Sequence, residues 1–314
     1  MCCLFGMLDY KKLLHQRQKN RILQALGCAA EDRGTDASGI AYNANNRLCI
    51  YKRPKPAHKM HFAVPGDVSV IMGHTRMTTQ GDEKRNRNNH PFFGSTPDTE
   101  FALAHNGVLF NDKLLREQEK LPATTIETDS YIAVQLIEQK RDLSFESLKY
   151  MAERIAGSFT ITVLDRNDNL YFVKGDNPMC IYHYPLIGLY LYASTEEILK
   201  KALQRLPREL GAFERVPLSG GDILQIDKSG GQTKAAFDFD EWCFGYRPHM
   251  RHYPPYTYTL DDPPEGSSAY REEYLELLRL NAAYCGYTED IVDEMLDVGF
   301  TTDEIEETLF CGAY

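Results

Sequence analysis

Apolar residues follow two different periods along this chain. Between residues 10 and 30 they recur every three or four positions, which predicts an amphipathic helix. The same spacing predicts helices at 127–140, 145–156 and 195–206, with Ser194 capping the last. Shorter apolar runs predict strands at 3–8, 39–43, 47–52, 68–72, 101–104, 159–164, 170–173, 180–183, 188–193, 222–226 and 233–239. This order of strands, helices and strands indicates an α+β fold.

Two changes in the pattern predict a division of the chain into three parts. Residues 2–240 carry the strands and most of the helices, and we expect them to form one domain. Residues 241–268 are rich in tyrosine and proline, which is typical of a linker. Residues 269–314 are acidic with apolar residues at helical spacing, so we expect a small helical segment there.

Composition narrows the class of protein. Of the 314 residues, 43% are hydrophobic and 25% charged, as in ordinary globular proteins. The net charge of −10 argues against a general nucleic-acid or membrane surface, and no apolar run is long enough to span a bilayer. The eight cysteines are scattered without a Cys-x-x-Cys pair, which favours free thiols and a cytoplasmic location.

The first residues offer a possible nucleophile. Removal of Met1 would leave Cys2 with both a thiol and a free α-amine. Such an amine titrates at about pH 7.7 to 8.0, so it can accept the thiol proton at neutral pH. A simpler interpretation is that Cys2 and Cys3 begin an ordinary buried strand.

Four polar motifs follow in order. They are Arg33-Gly34-Thr35-Asp36-Ala37-Ser38-Gly39-Ile40, Gly73-His74-Thr75-Arg76-Met77-Thr78-Thr79, His105-Asn106-Gly107 and Glu127-Thr128-Asp129-Ser130. Together with the start Met1-Cys2-Cys3-Leu4-Phe5-Gly6, they resemble the class II glutamine amidotransferases. Examples are the glutaminase domains of amidophosphoribosyltransferase and glucosamine-6-phosphate synthase. The resemblance covers about residues 2–240.

The resemblance implies a fold and a reaction. The fold would be the four-layer α/β/β/α sandwich of N-terminal nucleophile hydrolases. The reaction would require neither a metal nor an organic cofactor. The substrate would be L-glutamine, hydrolysed to L-glutamate and ammonia through a γ-glutamyl thioester on Cys2. Asn106 and Gly107 would stabilise the negative oxygen of the tetrahedral intermediate. Considered alone, Asn106-Gly107 is more typical of a hairpin turn.

The same resemblance implies the binding residues. Arg76 would bind the α-carboxylate of glutamine, because a guanidinium suits a carboxylate. Thr79 would add a hydroxyl contact and Asp129 would bind the α-ammonium. Arg33 and Gly34 would hold the N-terminus in place. The simpler interpretations are a surface ion pair for Arg76 and a helix cap for Asp129.

Two residues depart from the family pattern. Cys3 replaces the usual glycine, so its side chain either crowds the pocket or points into the core on the opposite face of the strand. Gln80 occupies a position where some members of the family carry a histidine. This departure puts the coupling of the domain to a synthase in doubt, but not the hydrolysis of glutamine.

Three interpretations of the function stay open, and the first is glutamine hydrolysis. About 75 residues follow the predicted domain, so we expect either a separate synthase subunit that receives the ammonia or a free-standing glutaminase. The other two are an N-terminal cysteine amidohydrolase for another amide and a non-catalytic regulatory module with the same fold.

Overall fold

The structure, a computed structural model, describes residues 2–207 and 209–239, together with 275, 279, 282, 287, 288, 290–300 and 305. The chain divides into two compact units, residues 1–244 and 245–314. The strands described in the first unit are β1 (Cys3–Asp9), β2 (Ala37–Ala44), β3 (Arg47–Arg53), β4 (Val70–Arg76), β5 (Phe92–Ser95), β6 (Glu100–Leu109), β7 (Gly157–Asp165), β8 (Leu170–Lys174), β9 (Cys180–Tyr184), β10 (Leu189–Ala193), β11 (Glu214–Arg215), β12 (Asp222–Ile226) and β13 (Gln232–Ala236). Its α-helices are α1 (Gln16–Ala30), α2 (Asp112–Gln118), α3 (Tyr131–Lys140), α4 (Phe145–Ala152) and α5 (Glu196–Gln204).

The strands form two sheets. The seven-stranded sheet has the order β11-β9-β10-β1-β4-β2-β3, and the six-stranded sheet has the order β13-β12-β8-β7-β6-β5. Each of these pairings is antiparallel. The N-terminal strand β1 is therefore central in its sheet, between β10 and β4, and both of its edges are hydrogen-bonded.

Three apolar clusters define the layers. The outer face of the seven-stranded sheet packs on α1 and α5 through residues that include Phe5, Met7, Leu23, Leu26 and Leu199. The outer face of the six-stranded sheet packs on α3 and α4 through residues that include Leu103, Ile132, Leu136, Leu148 and Met151. The inner faces meet through residues that include Leu4, Met72, Ala104, Phe172 and Leu224. The predicted α/β/β/α sandwich is confirmed.

Helix α1 begins later than the apolar pattern predicts. The Asp9 carboxylate accepts hydrogen bonds of 3.2 Å from the backbone N–H groups of both Leu13 and Leu14. Lys12 adopts a left-handed conformation with φ 54°. These local bonds form a turn, so the predicted start of the helix at residue 10 is wrong and the first helical residue is Gln16.

Strands β4 and β6 are longer than predicted. The predicted strands ended at residues 72 and 104, whereas β4 continues to Arg76 and β6 to Leu109. Asn106 and Gly107 pair with Thr160 and Phe159 of β7, so the interpretation of these two residues as a hairpin turn is wrong. Pairing with neighbouring strands outweighs the weak strand propensity of Asn and Gly.

Helix α5 is capped by a different residue. The Thr195 side chain accepts a hydrogen bond from the N–H of Ile198, whereas Ser194 Oγ accepts one of 2.9 Å from the N–H of Leu4. The predicted Ser194 cap is therefore wrong. The predicted helices at 127–140 and 145–156 begin at Tyr131 and end at Ala152, respectively. Strands β5 and β11 and helix α2 were not predicted.

In the second unit, the structure describes helix α6 (Ile291–Val298), which ends at Gly299 with φ 101°. Ala282, Val292 and Ile305 form a small buried cluster there. The predicted linker 241–268 lies outside the described residues, as does most of the predicted helical segment 269–314, and the predicted boundaries stay predictions. None of the helices described is long and apolar enough to cross a membrane.

Candidate active site

The two N-terminal cysteines face opposite sides of β1. Cys3 belongs to the cluster beneath α1 and α5 and is completely buried. Because side chains alternate along a strand, Cys2 lies on the same side as Leu4, towards the second sheet. The Cys2 thiol donates a hydrogen bond of 3.4 Å to the carbonyl oxygen of Met77. Cys3 therefore fills the helix-side core and does not crowd the space around Cys2.

Strand register brings Arg76 next to Cys2. Cys3 pairs with Thr75, so Cys2 lies opposite Arg76 at the end of β4. Burial raises the pKa of the Cys2 thiol, and the Arg76 cation opposes that rise. Arg76 is 3% exposed, and its guanidinium forms no ion pair within the described part of the chain. The interpretation of Arg76 as a surface ion pair is therefore wrong.

Three oxygen acceptors hold the Arg76 guanidinium. Nη1 donates to Asn89 Oδ1 at 2.7 Å, and Nη2 donates to the carbonyl oxygens of Gln80 and Gly81 at 2.5 and 3.0 Å. Burial lowers the pKa of Arg76, while Cys2 and Asp129 are among the groups that raise it. The guanidinium is thus fixed by neutral oxygens rather than by a carboxylate.

The loop after α1 holds the ends of β1 and β4 together. Arg33 Nε donates to the carbonyl oxygen of Cys2 at 2.9 Å. A Cβ on Gly34 would lie 2.4 Å from the carbonyl carbon of Arg76, so only glycine fits there. Asp36 donates its N–H to the Arg76 carbonyl at 3.0 Å and accepts the N–H of Thr78 at 2.8 Å. Asp36 lies within one of the sequence motifs, although the motif alone predicts no role for it.

Asn106 and Gly107 lie near the end of β6, in the six-stranded sheet. Asn106 is two residues beyond Ala104, which faces the inter-sheet core, so its side chain lies on that face. The side chain is fully buried, and neither its nitrogen nor its oxygen has a hydrogen-bond partner among the described residues. A buried, unpaired amide costs about 1 to 3 kcal/mol. Gly107 has φ 146°, and a Cβ there would lie 1.9 Å from the Ser158 carbonyl oxygen.

Asp129 is fixed to the strand that carries Asn106. Its Oδ2 accepts the N–H of Leu109 at 2.7 Å, and its Oδ1 accepts the Ser130 hydroxyl at 3.3 Å. The residue is 3% exposed. Helix α3 has Ser130 as its N-cap and lacks a side-chain cap, so the interpretation of Asp129 as a helix cap is wrong. The Asp129 charge raises the pKa of Cys2, against the effect of Arg76.

Thr79 and Gln80 lie in the loop after β4. Thr79 is exposed, so the structure does not place it with the buried polar groups. Gln80 Nε2 donates to the carbonyl oxygen of Glu127 at 3.1 Å and lies 3.4 Å from Asp112 Oδ2. Gln80 therefore connects the loop that holds Arg76 to segments flanking the second sheet.

Buried histidines connect the sheets below the site. His74 Nε2 donates to the His105 carbonyl oxygen at 2.9 Å, and the His74 and His90 rings lie 4.1 Å apart. Burial lowers the pKa of His74 to about 3 and lowers those of His90 and His105 as well, so the rings are neutral at physiological pH. Within the described ranges, no group of three or more His, Cys, Asp or Glu side chains could hold a metal ion.

Residues 74–201 match a protein family described as a glutamine amidotransferase domain. This match includes Arg76, Asn106, Gly107 and Asp129. We therefore identify residues 74–201 as part of a glutamine amidotransferase domain of the class II type. The predicted resemblance is confirmed.

Relatives of this amidotransferase domain include two glutamine–fructose-6-phosphate aminotransferases. The enzyme from Bacillus thuringiensis is 32% identical over 189 residues, covering 58% of this chain and 30% of the relative. The enzyme from Chlamydia trachomatis is 31% identical over 191 residues, with the same coverage. The chain therefore spans less than a third of the length of these relatives.

Solved structures agree on the fold. Glutamine phosphoribosylpyrophosphate amidotransferase from B. subtilis superposes with a TM-score of 0.60 and 19% identity, covering 76% of this chain and 49% of that one. At this identity the likeness supports the fold alone. The α+β sandwich expected from the sequence is confirmed by this likeness.

Proposed function

We propose that the amidotransferase domain hydrolyses L-glutamine to L-glutamate and ammonia, with Cys2 as the nucleophile. The observation that carries the proposal is the amide of Asn106, which is fully buried and unpaired among the described residues. By strand alternation from Ala104, it lies on the face of its sheet that is turned towards the sheet carrying Cys2 and Arg76. Amide hydrolysis develops negative charge on the carbonyl oxygen, and a fixed amide N–H in a dry site stabilises that charge.

The Cys2 thiol attacks the side-chain carbonyl carbon of glutamine. Because burial raises the pKa of the thiol, a nearby base is required to remove its proton. After Met1 is removed, the α-amine of Cys2 is that base, since such amines titrate at about pH 7.7 to 8.0. A carbon–sulfur bond forms, the carbon–nitrogen bond breaks and the departing nitrogen takes the proton as ammonia. Water then hydrolyses the thioester, releasing glutamate and the thiol.

The tetrahedral intermediate is stabilised from the second sheet. Asn106 Nδ2 and the N–H of Gly107 donate to its oxyanion in this proposal. Asn106 has no competing acceptor among the described residues, so donation to the substrate breaks no protein hydrogen bond. Such a preorganised donor costs no rearrangement during the reaction.

Opposite charges select a free amino acid. Three of the five N–H groups of Arg76 donate to protein oxygens, and in our proposal the others bind the α-carboxylate. Asp129 binds the α-ammonium with a carboxylate that is already oriented by Leu109 and Ser130. This pair favours glutamine over an amide within a peptide chain. The exposed Thr79 hydroxyl stays a prediction from the sequence, as do a separate acceptor of the ammonia and a cytoplasmic location.

Ammonia release by the purified chain tests the proposal. Intact mass first establishes whether Met1 is absent. We expect ammonia from L-glutamine and much less from N-acetylglutamine, which lacks the α-ammonium. Cys2→Ala should abolish release, whereas the matched variant Cys3→Ala should keep it because Cys3 faces the helix layer. A folded, processed chain that releases no ammonia would contradict the function, and an active chain that retains Met1 would contradict the role of the amine.

A further inference from the structure

Lys52 occupies an unusual position for a lysine. It lies on β3, at the edge of the seven-stranded sheet, and its side chain reaches the segment that precedes β5. Nζ donates to the carbonyl oxygens of Asn89 and Pro91 at 2.5 and 2.9 Å. The ammonium also lies 5.1 Å from the ring centre of Phe92. Within the described residues it forms no ion pair, so neutral oxygens hold the charge.

Asn89, whose carbonyl oxygen accepts a hydrogen bond from Lys52, also binds Arg76 through its side chain. Asn89 is completely buried, and its Oδ1 accepts Arg76 Nη1 at 2.7 Å. Its Nδ2 donates to the Glu83 carbonyl at 2.7 Å, which fixes the orientation of the amide. Lys52 therefore acts on the backbone of Asn89, and Asn89 acts on the guanidinium.

The neighbouring strand leaves room for this arrangement. Gly39 of β2 pairs with Lys52, and a Cβ on Gly39 would lie 2.3 Å from the His90 carbonyl oxygen and 2.7 Å from the Lys52 Cβ. The glycine thus allows the His90-Pro91 backbone to pass close to the sheet, within reach of the ammonium. The backbone carbonyl of Lys52 also accepts Asn86 Nδ2 at 2.9 Å, so two contacts attach the same segment to β3.

We infer that Lys52 is a positioning residue for the substrate carboxylate, acting through Asn89 on Arg76. The inference rests on the proposed function, because it assigns the carboxylate of glutamine to Arg76. Lys52 touches neither Cys2 nor the substrate in this assignment. Its removal should therefore weaken binding of the anionic end of glutamine and leave the chemical step unchanged.

Charge gives Lys52 a second effect on binding. Burial, reinforced by the Arg76 cation, lowers the pKa of Lys52 to about 8. The titratable groups that face it are Arg76 and His74 on β4 and His90 before β5, and both histidines are neutral. An anionic ligand at Arg76 favours the protonated lysine, so by linkage glutamine binds more tightly below about pH 8 than above it.

The test compares Lys52→Met, Lys52→Arg and the control Lys55→Met, whose lysine is exposed three residues along the same segment. Each is made in the active chain and in a Cys2→Ala background, where calorimetry measures glutamine binding without chemistry. We expect Lys52→Met to raise both KM and Kd about tenfold with kcat within about twofold of the parent. Lys52→Arg should restore KM at pH 7 and remove its rise above about pH 8. Lys55→Met should match the parent.

The outcomes separate this inference from the proposed function. If the parent releases no ammonia, the proposed hydrolysis is contradicted. If, in the same experiment, Lys52→Met lowers the glutamine affinity of the Cys2→Ala chain, the role of Lys52 is supported. Equal Kd values for Lys52→Met and Lys55→Met overturn the role of Lys52 alone. A folded, processed Cys2→Ala chain that does not bind glutamine overturns both.

Discussion

Arg33 Nε lies 2.9 Å from the carbonyl oxygen of Cys2. Arg33 follows α1, and its guanidinium fixes the backbone of the residue that we propose as the nucleophile. Gly34 and Asp36 hold β4 from the same loop, through close contact with Arg76 and a hydrogen bond to its carbonyl. One loop therefore sets the position of Cys2 relative to Arg76.

Removing the Arg33 contact should affect turnover more than binding. We expect Arg33→Ala to lower kcat about 10- to 100-fold, because displacement of a nucleophile by about 1 Å carries a cost of this size. KM for glutamine should change little, since Arg33 touches the backbone of Cys2 rather than Arg76. Arg21→Ala, at an exposed position on α1, is the matched control. Steady-state ammonia release measures both constants, and a rise in KM alone would argue against the positioning role.

Substitution of two different asparagines should distinguish an effect on kcat from an effect on the free energy of unfolding. Asn106→Ala removes an amide without a hydrogen-bond partner among the described residues, so the free energy of unfolding should not fall. It should lower kcat about 100- to 1,000-fold, the usual cost of one oxyanion donor. Asn111→Ala removes hydrogen bonds to Arg154 and Ala156, so it should destabilise the fold without a comparable loss of kcat. Urea unfolding and kinetics on both variants check the contrast, and an active Asn106→Ala chain would remove Asn106 from the mechanism.

Asp129 should contribute to substrate affinity through its charge. Asp129→Asn keeps an oxygen that can accept the N–H of Leu109, while it removes the negative charge. A charge-assisted contact is worth about 1.5 to 3 kcal/mol, so KM for glutamine should rise about 10- to 150-fold. Asp98→Asn, at an exposed position, serves as the control. A KM for Asp129→Asn equal to that of the control would show that the α-ammonium binds elsewhere.

The buried histidines should make stability fall in mild acid. Burial lowers the pKa of His74 to about 3, whereas the unfolded chain retains an ordinary value of about 6.5. Between these values the unfolded state binds more protons, so stability rises with pH and is lost as pH falls. From pH 7 to pH 5, His74 alone should lower the free energy of unfolding by about 2 kcal/mol.

Urea unfolding at pH 7 and pH 5 measures this loss. His74→Gln keeps a side-chain donor for the His105 carbonyl and cannot titrate, so its loss should be smaller than that of the parent. His61→Gln, at an exposed position, should behave as the parent does. Equal losses for His74→Gln and the parent would show that His74 does not carry the effect.

Much of the candidate site was predictable because its residues occur in short motifs. Cys2, Arg76, Asn106 and Asp129 are each the polar member of a local pattern, and the structure places all four among buried groups of the first unit. The positions of most strands along the chain also followed from apolar runs. The motifs carried this information because each one includes glycine or polar residues that an ordinary apolar strand does not need.

Lys52 and Asn89 could not be found in this way. Their roles depend on a segment that crosses from one sheet to the other, so the residues meet although they are 37 positions apart in the sequence. In the sequence, Lys52 is one of several basic residues in a proline-broken segment, and Asn89 is one of several asparagines. Similarly, the polar residues at the ends of β4 and β6 hid the full length of these strands.

The opposite orientations of Cys2 and Cys3 have a consequence for chain processing. A protease that removed one residue too many would leave Cys3 as the new N-terminal cysteine, with the same pair of reactive groups. That thiol is completely buried beneath α1 and α5, on the side of the sheet away from Asn106. To face Asn106, β1 would have to slip by one residue, which would turn its apolar side chains to the wrong layers. The second cysteine therefore provides no redundancy, and under the proposed mechanism a single misplaced cut is sufficient to inactivate the molecule.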